Sequence, residues 1–223
     1  MKNKTQYNKF YKDYAEKTEA LEEESRRKLY ENLPNLSGKR LLDVGCGSGH
    51  DAEYYRSQGA KVWGIDVSEK EIGLARGRVD GSFEVGEMES LPYENESFDV
   101  VTSNYALQSS ENVQKSLYEI IRVTKSGGLI VILTKHPVRS LLEGHVNDGR
   151  SDYFNQGIVT SHIFNRTIEL KEPGHTMMEY FNPEVLSQAR LESLKEICDY
   201  PNSDQVIENL KYPTCMILRF RKN

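Results

Sequence analysis

Cysteine is scarce in this chain. Cys46, Cys198 and Cys215 are the three among 223 residues. Odd in number and far apart, they supply neither a disulfide framework nor a CxxC metal site, and a reducing compartment is the expectation. Long apolar runs are missing as well. None approaches the ~20 residues that span a bilayer, and Met1–Phe10 is polar, without the apolar core of a secretory signal. The expected location is therefore cytoplasmic, with no membrane partner. Positive charge is in deficit, with 29 Lys and Arg against 34 Asp and Glu and a net charge of −5. The overall basic footprint of a nucleic-acid binder is absent, and no nucleic-acid partner is expected. Metal-ligand spacings are absent too: His136, His145, His162 and His175 match no signature, and no metal is expected.

What is present is a globular composition. Thirteen Tyr, seven Phe and one Trp are too many aromatics for a disordered chain. The length suits one sizeable domain, 1–223. Charge is uneven along it. Residues 1–39 carry +2 and residues 209–223 carry +4, which leaves −11 in the middle. Basic ends would touch an anionic partner or decorate a solvated face and edge strand.

The first segment, 1–39, reads as helix, with Tyr7, Phe10, Tyr11 and Tyr14 at helical spacing and Pro34 and Gly38 at its end. Short apolar runs then alternate with amphipathic stretches. Arg40–Gly45, Lys61–Val67, Ser82–Gly86, Phe98–Ser103 and Leu129–Leu133 read as strands. Between them lie helices over Asp51–Gln58, from Ser68 to about Arg76, and over Val113–Val123. Ser68 reads as an N-cap, with Glu71 completing a capping box. This alternation argues for a parallel α/β sheet with helices on both faces. Residues 136–182 lack periodicity and read as an insertion over the sheet's edge. Pro183 opens a helix to about Ser193, and Leu194–Tyr200 and Thr214–Arg221 read as the last strands.

Chemistry concentrates in Leu41-Leu42-Asp43-Val44-Gly45-Cys46-Gly47-Ser48-Gly49. A strand runs into three alternate glycines and then a helix. Glycine permits positive φ and close approach of a ligand to the backbone, and the helix N-terminus offers unpaired N–H groups. This suits a nucleotide-like ligand at the carboxyl end of the first strand. A dinucleotide site has similar parts, including an acid such as Asp66 at the end of the second strand. The GxGxG spacing argues against it, as does Asp43 inside the strand, where a carboxylate would repel a pyrophosphate and welcome an ammonium or sulfonium.

Four strings in order, LLDVGCGSG (41–49), VWGIDVS (62–68), GEMESLPYENESFDVV (86–101) and LYEIIRVTKSGGLIVI (117–132), resemble the class I S-adenosylmethionine-dependent methyltransferases, within them the small-molecule, type 11-like group. The resemblance implies a Rossmann-like, doubly wound, mostly parallel seven-stranded sheet with helices on both faces and the last strand antiparallel. It also implies an N-terminal helical lid (1–39), a cofactor core (40–135), a substrate-pocket insertion after strand five (136–182) and closing elements (183–223). The implied cofactor is S-adenosyl-L-methionine, with S-adenosyl-L-homocysteine as product. Gly45, Gly47 and Gly49 would floor the methionine and ribose. Asp43 would orient the loop or bind the methionine ammonium, and Asp66 would accept from both ribose hydroxyls. Val67 would pack on adenine, and Met88 would supply a backbone N–H beside it. Glu87, where the group has Asp, would reach the adenine amino group. Asn104 would place its carbonyl near the ammonium, and Leu107 would cover the sulfonium. Tyr14, with Tyr7 and Tyr11, would contact the cofactor from the lid or pack the helix on the sheet.

The implied activity is methyl transfer to an O or N atom of a small-molecule acceptor. His136, directly after strand five, and Tyr105, directly after Asn104, are the candidates for base or substrate ligand. Ser103-Asn104-Tyr105-Ala106 lacks the Asp/Asn-Pro-Pro-aromatic stretch of amino-directed DNA methyltransferases. A non-catalytic cofactor-binding module or partner subunit is the alternative, and a nicotinamide-dependent oxidoreductase a further one. A monomer or homodimer is expected.

Overall fold

In the computed structural model, which describes residues 2–21, 23–164, 166–198 and 206–223, seven strands form one sheet. β1 (Arg40–Val44), β2 (Lys61–Asp66), β3 (Ser82–Val85), β4 (Phe98–Asn104) and β5 (Thr124–Lys135) run parallel. β6 (Ile158–Ile163) and β7 (Ile168–Pro173) pair apart as an antiparallel hairpin. β8 (Ala189–Ile197) and β9 (Cys215–Lys222) complete the large sheet in the order β3-β2-β1-β4-β5-β9-β8, with the last strand antiparallel to both its neighbours. The order reverses at β1, which pairs with β2 on one side and β4 on the other. In an open parallel sheet this switch point leaves a crevice beyond the carboxyl ends of the strands.

The alternation along each strand decides which helices cover which face, because successive side chains point to opposite sides. Leu42, Val44, Val101, Ile130 and Ile132 pack with Leu117, Ile120 and Ile121 of α5 (Val113–Val123). Leu41, Val62 and Val100 pack on the other face with Ala52 and Tyr55 of α3 (His50–Ser57) and Ile72 and Ala75 of α4 (Glu69–Arg78). Leu129, Val131 and Leu133 extend that second face to Leu29 of α2 (Glu23–Tyr30). Each of these residues is 3% exposed or less. Full burial of a side chain of this size stabilises by about 1.5–3 kcal/mol.

Several elements depart from the sequence reading. The first segment is two helices, α1 (Lys2–Leu21) and α2. β5 starts at Thr124, five residues early, because the Ser126–Gly128 turn is a bulge: Phe98 pairs with Thr124 and Val100 with Leu129. Residues 136–182 are ordered elements: α6 (Pro137–Asp148), the β6–β7 hairpin and α7 (Met177–Tyr180). The inward face of α6 includes Arg139, Ser140 and Glu143, so a search for apolar periodicity passes over it. These elements attach at the carboxyl end of β5, an interior strand, rather than over the sheet's edge. The last helix, α8 (Pro183–Gln188), stops five residues short of Ser193, since Ala189 already pairs with Lys222 in the β8–β9 ladder. The end of the expected strand Leu194–Tyr200 lies outside the described residues.

Candidate functional site

The carboxyl ends of β1, β2 and β4 open on a cleft of about 1060 Å³, part of it open solvent. The glycine loop forms one wall. Gly45 has φ +77°, and a Cβ there would lie 2.1 Å from the Cβ of Ala106. That contact is impossible for any larger residue without moving the chain after β4. Gly47 (φ +49°) and Gly86 also line the cleft, with Val67 and Met88.

Asp66 ends β2 and anchors the loop. Its Oδ2 accepts from the Gly47 N–H (3.0 Å) and its Oδ1 from the Ser68 N–H (2.8 Å). Burial raises its pKa, opposed by the N–H groups of Ser68, Gly47 and Val67. Three backbone N–H groups thus serve a carboxylate with about four acceptor sites, and the residue faces the cleft. Asn104 ends β4 on the same cleft. Its Nδ2 donates to Asp51 Oδ2 (2.9 Å), while its buried Oδ1 has no partner among the described residues. An orphaned amide oxygen of this kind calls for a donor, which a bound ligand would bring.

Of the residues expected to hold a cofactor, Gly45, Gly47, Asp66, Val67, Met88 and Asn104 converge on this cleft. Four others are placed elsewhere. Asp43 lies beneath the loop, 1% exposed, with Oδ1 accepting from Thr102 Oγ1 (3.0 Å) and Oδ2 unpartnered. Burial, with Asp51 nearby, pushes its carboxyl well above the usual range. Gly49 packs α3 on α4, where a Cβ would come within 3.1 Å of Ala75. Glu87 points to solvent and its neighbour Glu89 faces the cleft instead. Glu89 Oε1 accepts from Ser110 Oγ (2.6 Å) and the Glu111 N–H (3.1 Å). Leu107 is fully buried in the α5-side core, and Ala106 takes the position over the glycine loop. The side chain of Tyr14, on α1, lies outside the described ones.

The two candidate bases also differ from expectation. His136 is 2% exposed and caps α6: its Nδ1 accepts from the Val138 N–H (3.1 Å). The proton therefore sits on Nε2, which lies 2.9 Å from Glu196 Oε1, and burial lowers the pKa. His136 is not among the residues lining the cleft. Tyr105 does line it, at φ +48°, but its hydroxyl donates to Ser25 Oγ (3.4 Å) on α2.

Four residues of the site were not singled out by sequence reasoning. Asp51, in the first turn of α3, accepts from Arg26 Nε (3.0 Å), Tyr30 OH (2.6 Å) and Asn104, tying α2 to the cleft floor. Its signal was its place directly behind the glycines. Glu71 faces the cleft; of the expected capping box only the bond from its N–H to Ser68 Oγ (3.2 Å) forms. Ser109 and Glu172 meet Tyr7 of α1 behind the far wall. Ser109 Oγ donates to Glu172 Oε1 (2.7 Å), so in the 2.6 Å contact between them Tyr7 OH is the donor. Glu172 belongs to a buried ionic cluster. Lys135 Nζ at the end of β5 donates to Glu172 Oε2 (2.9 Å), Glu143 Oε2 (3.1 Å) and Ser161 Oγ (2.7 Å), and Arg139 Nε donates to Glu143 Oε1 (2.7 Å). Among the described residues no group of three or more His, Cys, Asp or Glu is arranged to hold a metal ion, and no helix is long and apolar enough to cross a membrane.

Residues 42–132 match the family described as Methyltransferase domain. The chain is 34% identical over 116 residues to a malonyl-[acyl-carrier protein] O-methyltransferase of Pectobacterium atrosepticum, covering 51% of this chain and 46% of that protein. It is 32% identical over 192 residues to the enzyme of the same name from Erwinia pyrifoliae, covering 84% and 71%. The chain thus spans about half the length of most curated relatives it matches. A solved structure from Listeria monocytogenes superposes with TM-score 0.72 at 24% identity, covering 88% of this chain and 97% of that one. An S-adenosylmethionine dependent methyltransferase of Mesorhizobium loti gives 0.67 at 22%, covering 88% and 96%. The two superpositions establish the fold, and the Erwinia relative, matched across most of both chains, establishes the lineage. The chain belongs to the class I S-adenosylmethionine-dependent methyltransferase family.

Proposed function

We propose that the cleft binds S-adenosylmethionine and that the chain directs its methyl group to an O or N atom of a small-molecule acceptor. The observation that carries this is the Asp66 carboxylate facing the cleft beside side-chain-free glycines, together with the orphaned Oδ1 of Asn104 on the same cleft. These features fit a ligand with a diol at one end and an ammonium at the other. Asp66 would hold the ribose hydroxyls, Gly45 and Gly47 would let the chain approach, Met88 and Val67 would flank adenine, and Asn104 Oδ1 would accept from the ammonium. Bound there, the cofactor supplies an already activated methyl group, so the protein's task is alignment and exclusion of water.

In this reading residues 40–135 hold the cofactor and 1–39 close over it through Tyr7. Residues 136–182 form the acceptor side, and 183–223 complete the sheet. Four carboxyl groups face the cleft, those of Asp51, Asp66, Glu71 and Glu89, while the guanidinium of Arg26 is already paired with Asp51. This balance favours an acceptor that arrives neutral or cationic over a carboxylate such as the malonyl group named for the relatives. With His136 turned away, a neutral amine, which needs little help from a base, fits best.

The test is calorimetric binding of S-adenosylhomocysteine, followed by turnover with labelled S-adenosylmethionine against amines, phenols and a malonyl thioester. Binding plus acceptor-dependent product is expected. Binding without any turnover would favour the non-catalytic module, and binding of NAD in place of S-adenosylhomocysteine would overturn the reading.

A further inference from the structure

Glu71 is the acid in this chain whose placement the fold does not explain. It sits in the first turn of α4, where its backbone N–H is taken by the Ser68 cap. Its side chain does not return to the cap. The residue is 5% exposed, and burial, Asp66 and Arg78 act on its carboxyl with no hydrogen bond among the causes. It faces the cleft from the side of Asp66, and its Oε2 would lie 3.9 Å from a Cβ placed on Gly47. Its oxygens are not sealed from the cleft, and a largely buried carboxyl is costly to ionise unless it meets a ligand.

Several charged and titratable groups surround it. Asp66 faces it from β2 and Cys46 from the glycine loop. Arg78 lies on its own helix, but its Nη1 is engaged by His50 Nδ1 (3.2 Å) and Glu53 (3.6 Å) of α3. From α1, Lys4 pairs with Glu69, and Tyr7 lines the same cleft. Lys70, on the next position of α4, lies 4.9 Å from the Tyr11 ring. No cation is paired with Glu71 itself among the described residues, and the like charge of Asp66 acts on it more strongly than Arg78 does. Burial and Asp66 together raise its pKa to about 8, against Arg78. In the neutral form it carries an O–H donor as well as acceptor capacity, which Asp66 lacks.

We propose that Glu71 is a second carboxyl group of the ribose site, bonding the ligand from α4 beside Asp66. This rests on the reading of the cleft as an S-adenosylmethionine site. The ribose diol offers two donors and two sets of lone pairs. Asp66 takes donors only, and neutral Glu71 returns a proton to a ribose oxygen. Once ionised, Glu71 withdraws that donor and sets a second negative charge against Asp66.

The experiment is calorimetric titration of the full chain with S-adenosylhomocysteine between pH 6.5 and 9.5, for the native protein, Glu71→Gln and Glu71→Ala. Subtracting the Gln curve removes the ligand's own titration. Native affinity should fall about tenfold more than that of Glu71→Gln across this range. At pH 7 the Gln variant should bind within threefold of native and the Ala variant at least fivefold more weakly. If the Ala variant does not fold, the comparison of native with Gln decides alone. Coincident native and Gln profiles would overturn the role of Glu71. Failure of the native protein to bind S-adenosylhomocysteine at pH 7 would instead overturn the cofactor reading.

Discussion

Replacing Lys135 by methionine is the sharpest perturbation of this architecture. The two side chains are similar in length, so packing is nearly conserved while one charge disappears. In the native protein the ammonium touches three oxygens at 2.7–3.1 Å, those of Ser161, Glu172 and Glu143. Lysine and both glutamates are 5% exposed or less. Burial alone would neutralise all three, yet mutual attraction wins: Lys135 is held above its ordinary pKa, and Glu143 and Glu172 below theirs. Without the ammonium, Glu143 keeps Arg139 and the Ser161 hydroxyl (2.7 Å), whereas among the described residues Glu172 keeps the Ser109 hydroxyl (2.7 Å) as its close donor. Removing one partner of a buried pair costs about 3–5 kcal/mol, a large share of a total stability of about 5–15 kcal/mol. Urea denaturation at pH 7.5 should report that loss.

The pH dependence carries the sign of the argument. In the native protein the depressed glutamates contribute stability that is present above pH 4.5, their ordinary value, and lost as pH falls through the folded values. In Lys135→Met, burial raises the pKa of Glu172, so stability falls as pH rises above 4.5. The gap between the two proteins should therefore be full by pH 7.5 and should close only as pH falls below 4.5, through the folded values of the two glutamates. Adding Glu172→Gln should return about half of the loss at pH 7.5. A loss below ~1 kcal/mol, or one independent of pH, would refute the reasoning.

Two further substitutions probe the site's geometry. Gly45→Ala adds a methyl 2.1 Å from the Ala106 Cβ at φ +77°, and should cost about 2–5 kcal/mol in thermal unfolding together with ligand binding. His136→Ala removes the cap of α6 and should cost about 1–2 kcal/mol of stability. The shape of the pH–rate profile should stay unchanged, because the imidazole does not face the cleft; loss of a basic limb in that profile would restore His136 as a base.

The sequence was most informative where one rule dominated. Short apolar runs buried at every position in Leu41–Val44 and Leu129–Leu133, with helices between, dictated the sheet and its two covered faces. The alternate glycines dictated where a ligand would sit. Legibility failed where position depended on a local twist of the chain. A three-residue helical turn over Leu107–Ser109 rotates Leu107 into the core and leaves Ala106 over Gly45. A shift of two positions exchanged Glu87 for Glu89, because a run of glutamates carries no signal for which one turns inward. The capping box misled at Glu71, since its backbone half forms without its side-chain half. In α6 the inward face is ionic, so hydrophobic periodicity could not find it, and Arg139 and Glu143 are legible only once Lys135 and Glu172 stand opposite.

The central claim is that the acid at the end of β2 holds the cofactor ribose. Calorimetry of S-adenosylhomocysteine with Asp66→Ala tests it most directly, with the fold checked by circular dichroism. Loss of hydrogen bonds to a charged group is worth about 1.5–3 kcal/mol, so the dissociation constant should rise roughly 10- to 150-fold in a folded variant. An unchanged dissociation constant in a folded Asp66→Ala protein would contradict the account.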